Sequence, residues 1–275
     1  MASSNAGNWG DLGVRAVSAA VLIPAVLLDV WAGGVWFTLM VALLGVLMAQ
    51  EWTAIAHDGD PMQFAFHAAG AMCGALLPPA SAMMAIAAVT GLSGWRAYAS
   101  DESPVMWRYL GVPYVSLPAL ALVLLRSDPS HGAAVIVWLL VIVWAADTLA
   151  YFSGRIIGGP KLAPVISPKN TWAGLAGAMV GSAVAAGVFA VLTGIGSVVG
   201  LALLAGLLAI VEQAGDLFKS ALKRHYGVKD SGRIIPGHGG IIDRVDGLVA
   251  VASAGAIIGL FHGGPAATGA GLLAW

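Results

Sequence analysis

"KSALKRHYGVKDSGRIIPGHGGIIDRVDG", residues 219–247, carries six of the chain's 13 Lys and Arg residues, three acids and two histidines. The apolar segment 197–218 precedes it and another, 246–264, follows. Each is long enough for a helix to cross a hydrocarbon core, which takes roughly 20 residues. Charge inside that core is costly. A strongly charged stretch between two spanning segments therefore reads as a loop at one membrane face.

The rest of the chain agrees with that reading. Of 275 residues, 59% are hydrophobic and 10% are charged, whereas a soluble domain carries about 25% charged residues. Apolar segments fall at about 12–30, 34–56, 63–78, 81–98, 105–125, 132–153, 173–193, 197–218 and 246–264. The expectation is an all-α, polytopic integral membrane protein with about nine transmembrane helices and a cytoplasmic N-terminus. The third and fourth segments are short and meet at Pro78 and Pro79, so a single re-entrant hairpin is the alternative. The apolar N-terminal run has no basic start and reads as a first membrane helix that is kept. A division into N-terminal transmembrane helices, 1–130, and a C-terminal catalytic region, 131–275, is expected.

With nine helices, every Lys and Arg except Arg126 falls on one side, which the positive-inside rule makes the cytoplasm. Polar loops 154–172 and 219–245 then face the same compartment. Trp9, Trp31, Trp36, Trp52, Trp95 and Trp107 fall near helix ends, as an interfacial belt would place them. The net charge of −1 gives no reason to expect a nucleic-acid partner. A single cysteine, Cys73, allows no internal disulfide, and no Cys/His metal spacing exists. Glycines in "GLAGAMVGSAVAAG" (174–187) read as close packing between helices.

The chemistry gathers around the opening stretch. Glu212, Asp216, Lys219 and Lys223 share one helix face. Read plainly, they form an internal ion pair that packs the bundle. Asp243 and Asp246 project together from the first turn of the next helix, where Asp243 alone would read as a cap. Asp216 can reach the same point, and three carboxylates at close range call for a hard cation. Mg²⁺ commonly takes one or two carboxylates plus waters and substrate phosphates. "PGHGG" (236–240) offers backbone N–H groups as an anion nest, with Lys223, Arg224, Lys229 and Arg233 around it. In the other loop, Asp147 sits near a helix end. Ser167 or Thr171 reads as a cap, and Lys169 is placed to reach a phosphate. The residues alone indicate a membrane enzyme acting on a phosphorylated substrate with Mg²⁺.

The spacing also resembles a known signature. The phosphatidate cytidylyltransferases, or CDP-diacylglycerol synthases, carry S-x-x-K-R-x-x-x-x-K-D followed by H-G-G-x-x-D-R-x-D. Here Ser220, Lys223, Arg224, Lys229, Asp230, His238, Gly239, Gly240, Asp243, Arg244 and Asp246 occupy those positions. "GDLFKS" and "DTLAYFSGR…KLAPVISPKNTW" are similar to the family as well, and the resemblance covers roughly 140–250. Two positions depart: Ala173 stands where the family usually has Glu, and Lys219 where an acid is more usual.

The resemblance implies a reaction in phospholipid biosynthesis: CTP and phosphatidic acid give CDP-diacylglycerol and pyrophosphate at the inner face of a bacterial cytoplasmic membrane. It assigns Asp216, Asp243 and Asp246 to metal and, with Lys223, to catalysis. Substrate binding falls to Asp147, Ser167, Lys169, Thr171, Ser220, Arg224, Lys229, Asp230, His238, Gly239, Gly240 and Arg244. A second cation beside Mg²⁺ and a homodimer both stay open. The rival readings are a lipid or polyprenol kinase, a cytidylyltransferase for another lipid phosphate, and a transporter.

Overall fold

A computed structural model of the chain describes residues 9–100, 105–232, 234 and 239–275. Helices α1 (Trp9–Ala32), α2 (Gly34–Ala56), α3 (Pro61–Leu76), α4 (Pro79–Ala99), α5 (Val105–Arg126) and α6 (Gly132–Ile156) come first. An antiparallel hairpin, β1 (Lys161–Ala163) and β2 (Ser167–Thr171), leads into α7 (Trp172–Thr193), α8 (Val198–His225), α9 (Ile242–Gly263) and a short α10 (Thr268–Leu273). The architecture is all-α apart from that hairpin. Among the described residues six helices are long and apolar enough to cross a membrane: α2, α5 from Tyr109, α6, α7, α8 and α9. The nine predicted segments each hold a helix, but α3 is too short for that test and α4 is less apolar.

α3 and α4 are two separate helices. With 16 residues, α3 is about 24 Å long. Polar ties pin it to α4: Ser93 donates to Gln63 Oε1 (2.6 Å), and Gln63 Nε2 returns a bond to the Ser93 carbonyl (3.1 Å). Arg96 donates from Nε and Nη2 to Asp60 Oδ2 at 2.9 and 2.7 Å. That ring of bonds spans the two helices near one end, so α3 and α4 form an antiparallel pair along α5.

Two apolar clusters hold the bundle. The larger gathers Trp138, Leu139 and Ile142 of α6, Leu201 and Leu208 of α8 and Leu272 of α10, all at most 1% exposed. The second contains Trp52, Trp107, Leu222 and Ile242 and lies under the charged stretch. Trp52 and Trp107 are thus core residues, correcting the belt expectation. Trp52 lies against Tyr114 with ring centroids 5.0 Å apart, and Trp107 lies 5.6 Å from Phe218. Trp31, Trp36 and Trp95 remain exposed, as a belt requires.

The glycines of α7 do what the sequence suggests. A Cβ on Gly177 would fall 1.9 Å from Ser153 Oγ, and one on Gly181 would fall 2.7 Å from Leu149 Cγ. Only hydrogen at these positions lets α7 lie against α6.

The connections place the chemistry. The hairpin joins the C-terminal end of α6 to the start of α7, and the charged stretch joins the end of α8 to the start of α9. Both therefore sit at one end of the bundle. Arg126 lies at the other end, donating from Nε to the Val30 carbonyl (2.8 Å).

Candidate active site

Helix α8 runs on to His225, well past the predicted end at residue 218. Residues 219–225 and 242–245 are therefore helical, and the described residues between the two helices are 226–232, 234 and 239–241. Apolar character stops at Lys219, but Ala, Leu, Lys and Arg all favour helix, so the backbone continues. As a result Asp216, Lys219, Ser220, Lys223 and Arg224 stand on a rigid helix.

Two ion-pair layers link α8 to α9. Lys219 is 8% exposed, and its Nζ lies 3.0 Å from Asp216 Oδ1 while also pairing with Asp246 Oδ2. Asp216 Oδ2 accepts a bond from Asn170 Nδ2 of β2 (2.8 Å). One turn on, Lys223 Nζ lies 2.6 Å from Asp243 Oδ1. Asp243 Oδ2 accepts from the Ser231 amide (2.9 Å) and hydroxyl (2.8 Å). Asp243 is thus no cap; among the described bonds no side chain of α9 caps its own first turn.

Glu51 of α2 takes that role, and the sequence reading passed over it. Its Oε1 accepts from the Ile241 amide (2.7 Å), and its Oε2 from the Ile242 amide (2.9 Å) and Ser231 Oγ (3.1 Å). A Cβ on Gly232 or Gly240 would come within 2.5 Å of the Glu51 carboxylate. Those glycines let the backbone close around it. A carboxylate at the polar edge of an otherwise apolar helix was the available signal.

Two cavities adjoin this centre and share Pro168, Lys169, Asn170 and Asp216. The larger, about 610 Å³, lies between α6, α7 and α8 and is lined by Asp147, Tyr151, Arg155, Lys161 and Glu212. The side chains of Asp147 and Glu212 meet there. The smaller, about 370 Å³, is lined by Ser167, Ser220, Lys223, Arg224, Lys229 and Asp230. Thr171 is buried as the N-cap of α7, its Oγ1 accepting from the Gly174 amide at 3.0 Å, so the cap expectation holds there. Gly239, at φ +82°, lies beside Asp243, and Arg244 is exposed on α9. His238 and Arg233 lie outside the described residues.

Among the described residues no three His, Cys, Asp or Glu side chains converge closely enough to hold a metal ion. Asp216 and Asp246, from facing helices, do converge on the single positive charge of Lys219. Such a pair of hard oxygen donors fits Mg²⁺ with waters and phosphate oxygens completing its shell. Asp243 faces Lys223 instead.

The bundle thus gathers lysines, carboxylates and two cavities at one end. Comparison with known sequences gives the class. Residues 13–261 match the profile of the cytidylyltransferase family, and the chain belongs to that family. It is 39% identical over 257 residues to a phosphatidate cytidylyltransferase of Brucella abortus biovar 1 (strain 9-941), covering 88% of this chain and 91% of the relative. It is 41% identical over 128 residues to the enzymes of that name from Haemophilus influenzae (strain ATCC 51907 / DSM 11121 / KW20 / Rd) and Bacillus subtilis (strain 168). Those matches cover 45% and 46% of this chain, and 44% and 48% of the relatives.

Proposed function

We propose that this protein is a phosphatidate cytidylyltransferase. A phosphate oxygen of phosphatidate attacks the α-phosphorus of CTP, the bond to the β-phosphate breaks, and CDP-diacylglycerol and pyrophosphate leave. The observation that carries the reading is the two-layer lysine–carboxylate centre beside two cavities that share Asp216, in a chain similar along most of its length to enzymes of that name.

The reaction brings two anions together, so catalysis is mainly positioning and charge neutralisation. Lys223, Arg224 and Lys229 line the smaller cavity and hold phosphates there. Lys169 lines both cavities and is placed to reach a phosphate in either. Asn170 fixes the rotamer of Asp216. Mg²⁺ held by Asp216 and Asp246, with Asp243 on the adjoining turn, supplies positive charge to the phosphates when bound. The site faces the cytoplasm, because the Lys and Arg residues gather at its end of the bundle.

Membrane vesicles of both orientations, given labelled CTP, phosphatidate and Mg²⁺, test the reading with an Asp246→Asn variant alongside. Labelled CDP-diacylglycerol is expected from inverted vesicles alone, at least about 100-fold reduced in the variant. An ATP-dependent phospholipid product would identify a kinase instead. No lipid product with any nucleotide would sink the assignment.

A further inference from the structure

Gln213 is 8% exposed and lines the larger cavity, and its side-chain amide makes no hydrogen bond with any described residue. A buried amide is costly to leave unpaired, so one that borders a cavity marks a place where a ligand supplies the partner. Two neighbours complete a pattern. Asp147 of α6 is open to the cavity and meets Glu212, which is 4% exposed. Tyr151 follows Asp147 by one turn, and its hydroxyl accepts from Arg155 Nη1 (2.7 Å). Here the cavity offers a carboxylate that accepts, an amide that donates and accepts, and an aromatic ring held in place.

Helices α6 and α8 both run toward the end of the bundle that carries the charged stretch. Asp147, Glu212 and Gln213 therefore form the floor of the cavity. Asp216, about 4.5 Å further along α8, stands nearer the mouth. Asp216 and Lys169 also line the smaller cavity, which holds Lys223, Arg224 and Lys229. A nucleoside triphosphate fits this path, with its base on the floor, its α-phosphate at the shared boundary and its outer phosphates among the cations. A lipid on the same floor would lay hydrocarbon against Asp147 and Gln213, which strips both of hydrogen bonds.

Cytosine matches the floor. Its exocyclic amine donates to a carboxylate, and its ring nitrogen and carbonyl accept from an amide N–H. Uracil carries a carbonyl in place of that amine, so two acceptors would face each other at Asp147. We propose that Gln213, together with Asp147, reads the base of the nucleotide and selects cytosine, with Tyr151 stacked on the ring. This rests on the cytidylyl-transfer reading above and adds the residues that choose the base.

Initial rates of the purified full-length protein in detergent, with phosphatidate, Mg²⁺ and either CTP or UTP, test it. The native protein is expected to favour CTP in kcat/KM by at least about 100-fold. Gln213→Leu should lower kcat/KM for CTP about 10- to 100-fold, mainly through KM, and narrow the CTP/UTP ratio by about tenfold or more. Gln213→Asn, whose amide stops one methylene short, guards against misfolding and should narrow it too. Asp147→Asn turns N–H donors toward the uracil carbonyl and should shift the preference toward UTP. A merely structural role would depress both nucleotides alike and leave the ratio at its native value. That unmoved ratio in an active Gln213 variant would overturn the proposal. So would equal use of both nucleotides by the native protein, or a raised KM for phosphatidate in place of that for CTP. In each of those cases CDP-diacylglycerol from the native protein leaves the reaction itself intact. No lipid product from the native protein with either nucleotide would sink the proposal together with the reaction it rests on.

Discussion

Glu51 shows how far a single residue acts across this fold. It sits on α2, 180 positions from Ser231, yet its two carboxylate oxygens accept three bonds, from Ser231 and from the amides of Ile241 and Ile242 at the start of α9. Through Ser231 the contact continues to Asp243 and on to Lys223. Glu51 touches no reacting group in this arrangement; it positions those that do. Hydrogen bonds to a charged group contribute about 1.5–3 kcal/mol each. Glu51→Gln turns one acceptor into a donor that faces an amide N–H or the Ser231 hydroxyl. The expected result is a fall in kcat of at least tenfold, a small change in KM for CTP and a lower thermal midpoint in detergent. Steady-state kinetics with a melting curve check this; unchanged kcat would show that the loop holds its shape without the carboxylate. Nothing in the sequence paired residue 51 with residue 241, because the contact exists only once α2, α8 and α9 meet.

At the scale of elements, the site depends on how closely α6, α7 and α8 pack. Asp147 comes from α6, Asn170 from the strand before α7, and Asp216 from α8. Gly177 and Gly181 set the α6–α7 distance. Gly181→Leu would place a side chain where Leu149 already lies, and overpacking of this kind costs about 1–3 kcal/mol. A drop of several degrees in the thermal midpoint and a loss of activity larger than the loss of folded protein are expected, because Asp147 moves away from Asp216. Gly187→Ala is a control: the added methyl would stand 3.6 and 3.9 Å from its nearest neighbours, Val198 and Ala202, so a smaller effect is expected. The helices themselves were legible, since long apolar runs have few alternatives in a bilayer. The extension of α8 to His225 was not, because hydropathy registers the charge and misses the helical backbone beneath it.

The whole molecule has a chemical end and a structural end. At the structural end, Asp128 in the turn between α5 and α6 accepts from the Ser130 amide (2.9 Å) and hydroxyl (2.7 Å), from the His131 amide (2.9 Å), and from the Ala270 amide at the start of α10 (2.8 Å). Burial raises the pKa of this carboxyl, but the Ala270, His131 and Ser130 bonds outweigh burial and hold it at about 2. A carboxyl depressed from 3.8 to about 2 gives its full stabilisation above 3.8 and loses it as pH falls through about 2. Docking of α10 should therefore survive at pH 4 and weaken only nearer pH 2. Hydrogen exchange at the Ala270 amide checks this; Asp128→Asn should raise that exchange at neutral pH and remove its acid dependence, with activity at the far end of the bundle nearly unchanged.

The sequence by itself determined the membrane architecture, the gathering of charge at one face and the signature residues. Those follow from local properties: hydrocarbon excludes charge, and a short motif keeps its spacing in any context. It did not determine which acids meet. Three carboxylates were expected around one ion, whereas the packed helices give Asp216 and Asp246 to Lys219 and Asp243 to Lys223. Helix rotation and depth set those pairings, and both are fixed by side-chain packing between segments far apart in the chain. The same packing brought Glu51 to the loop and Asn170 to Asp216, contacts that no local pattern encodes.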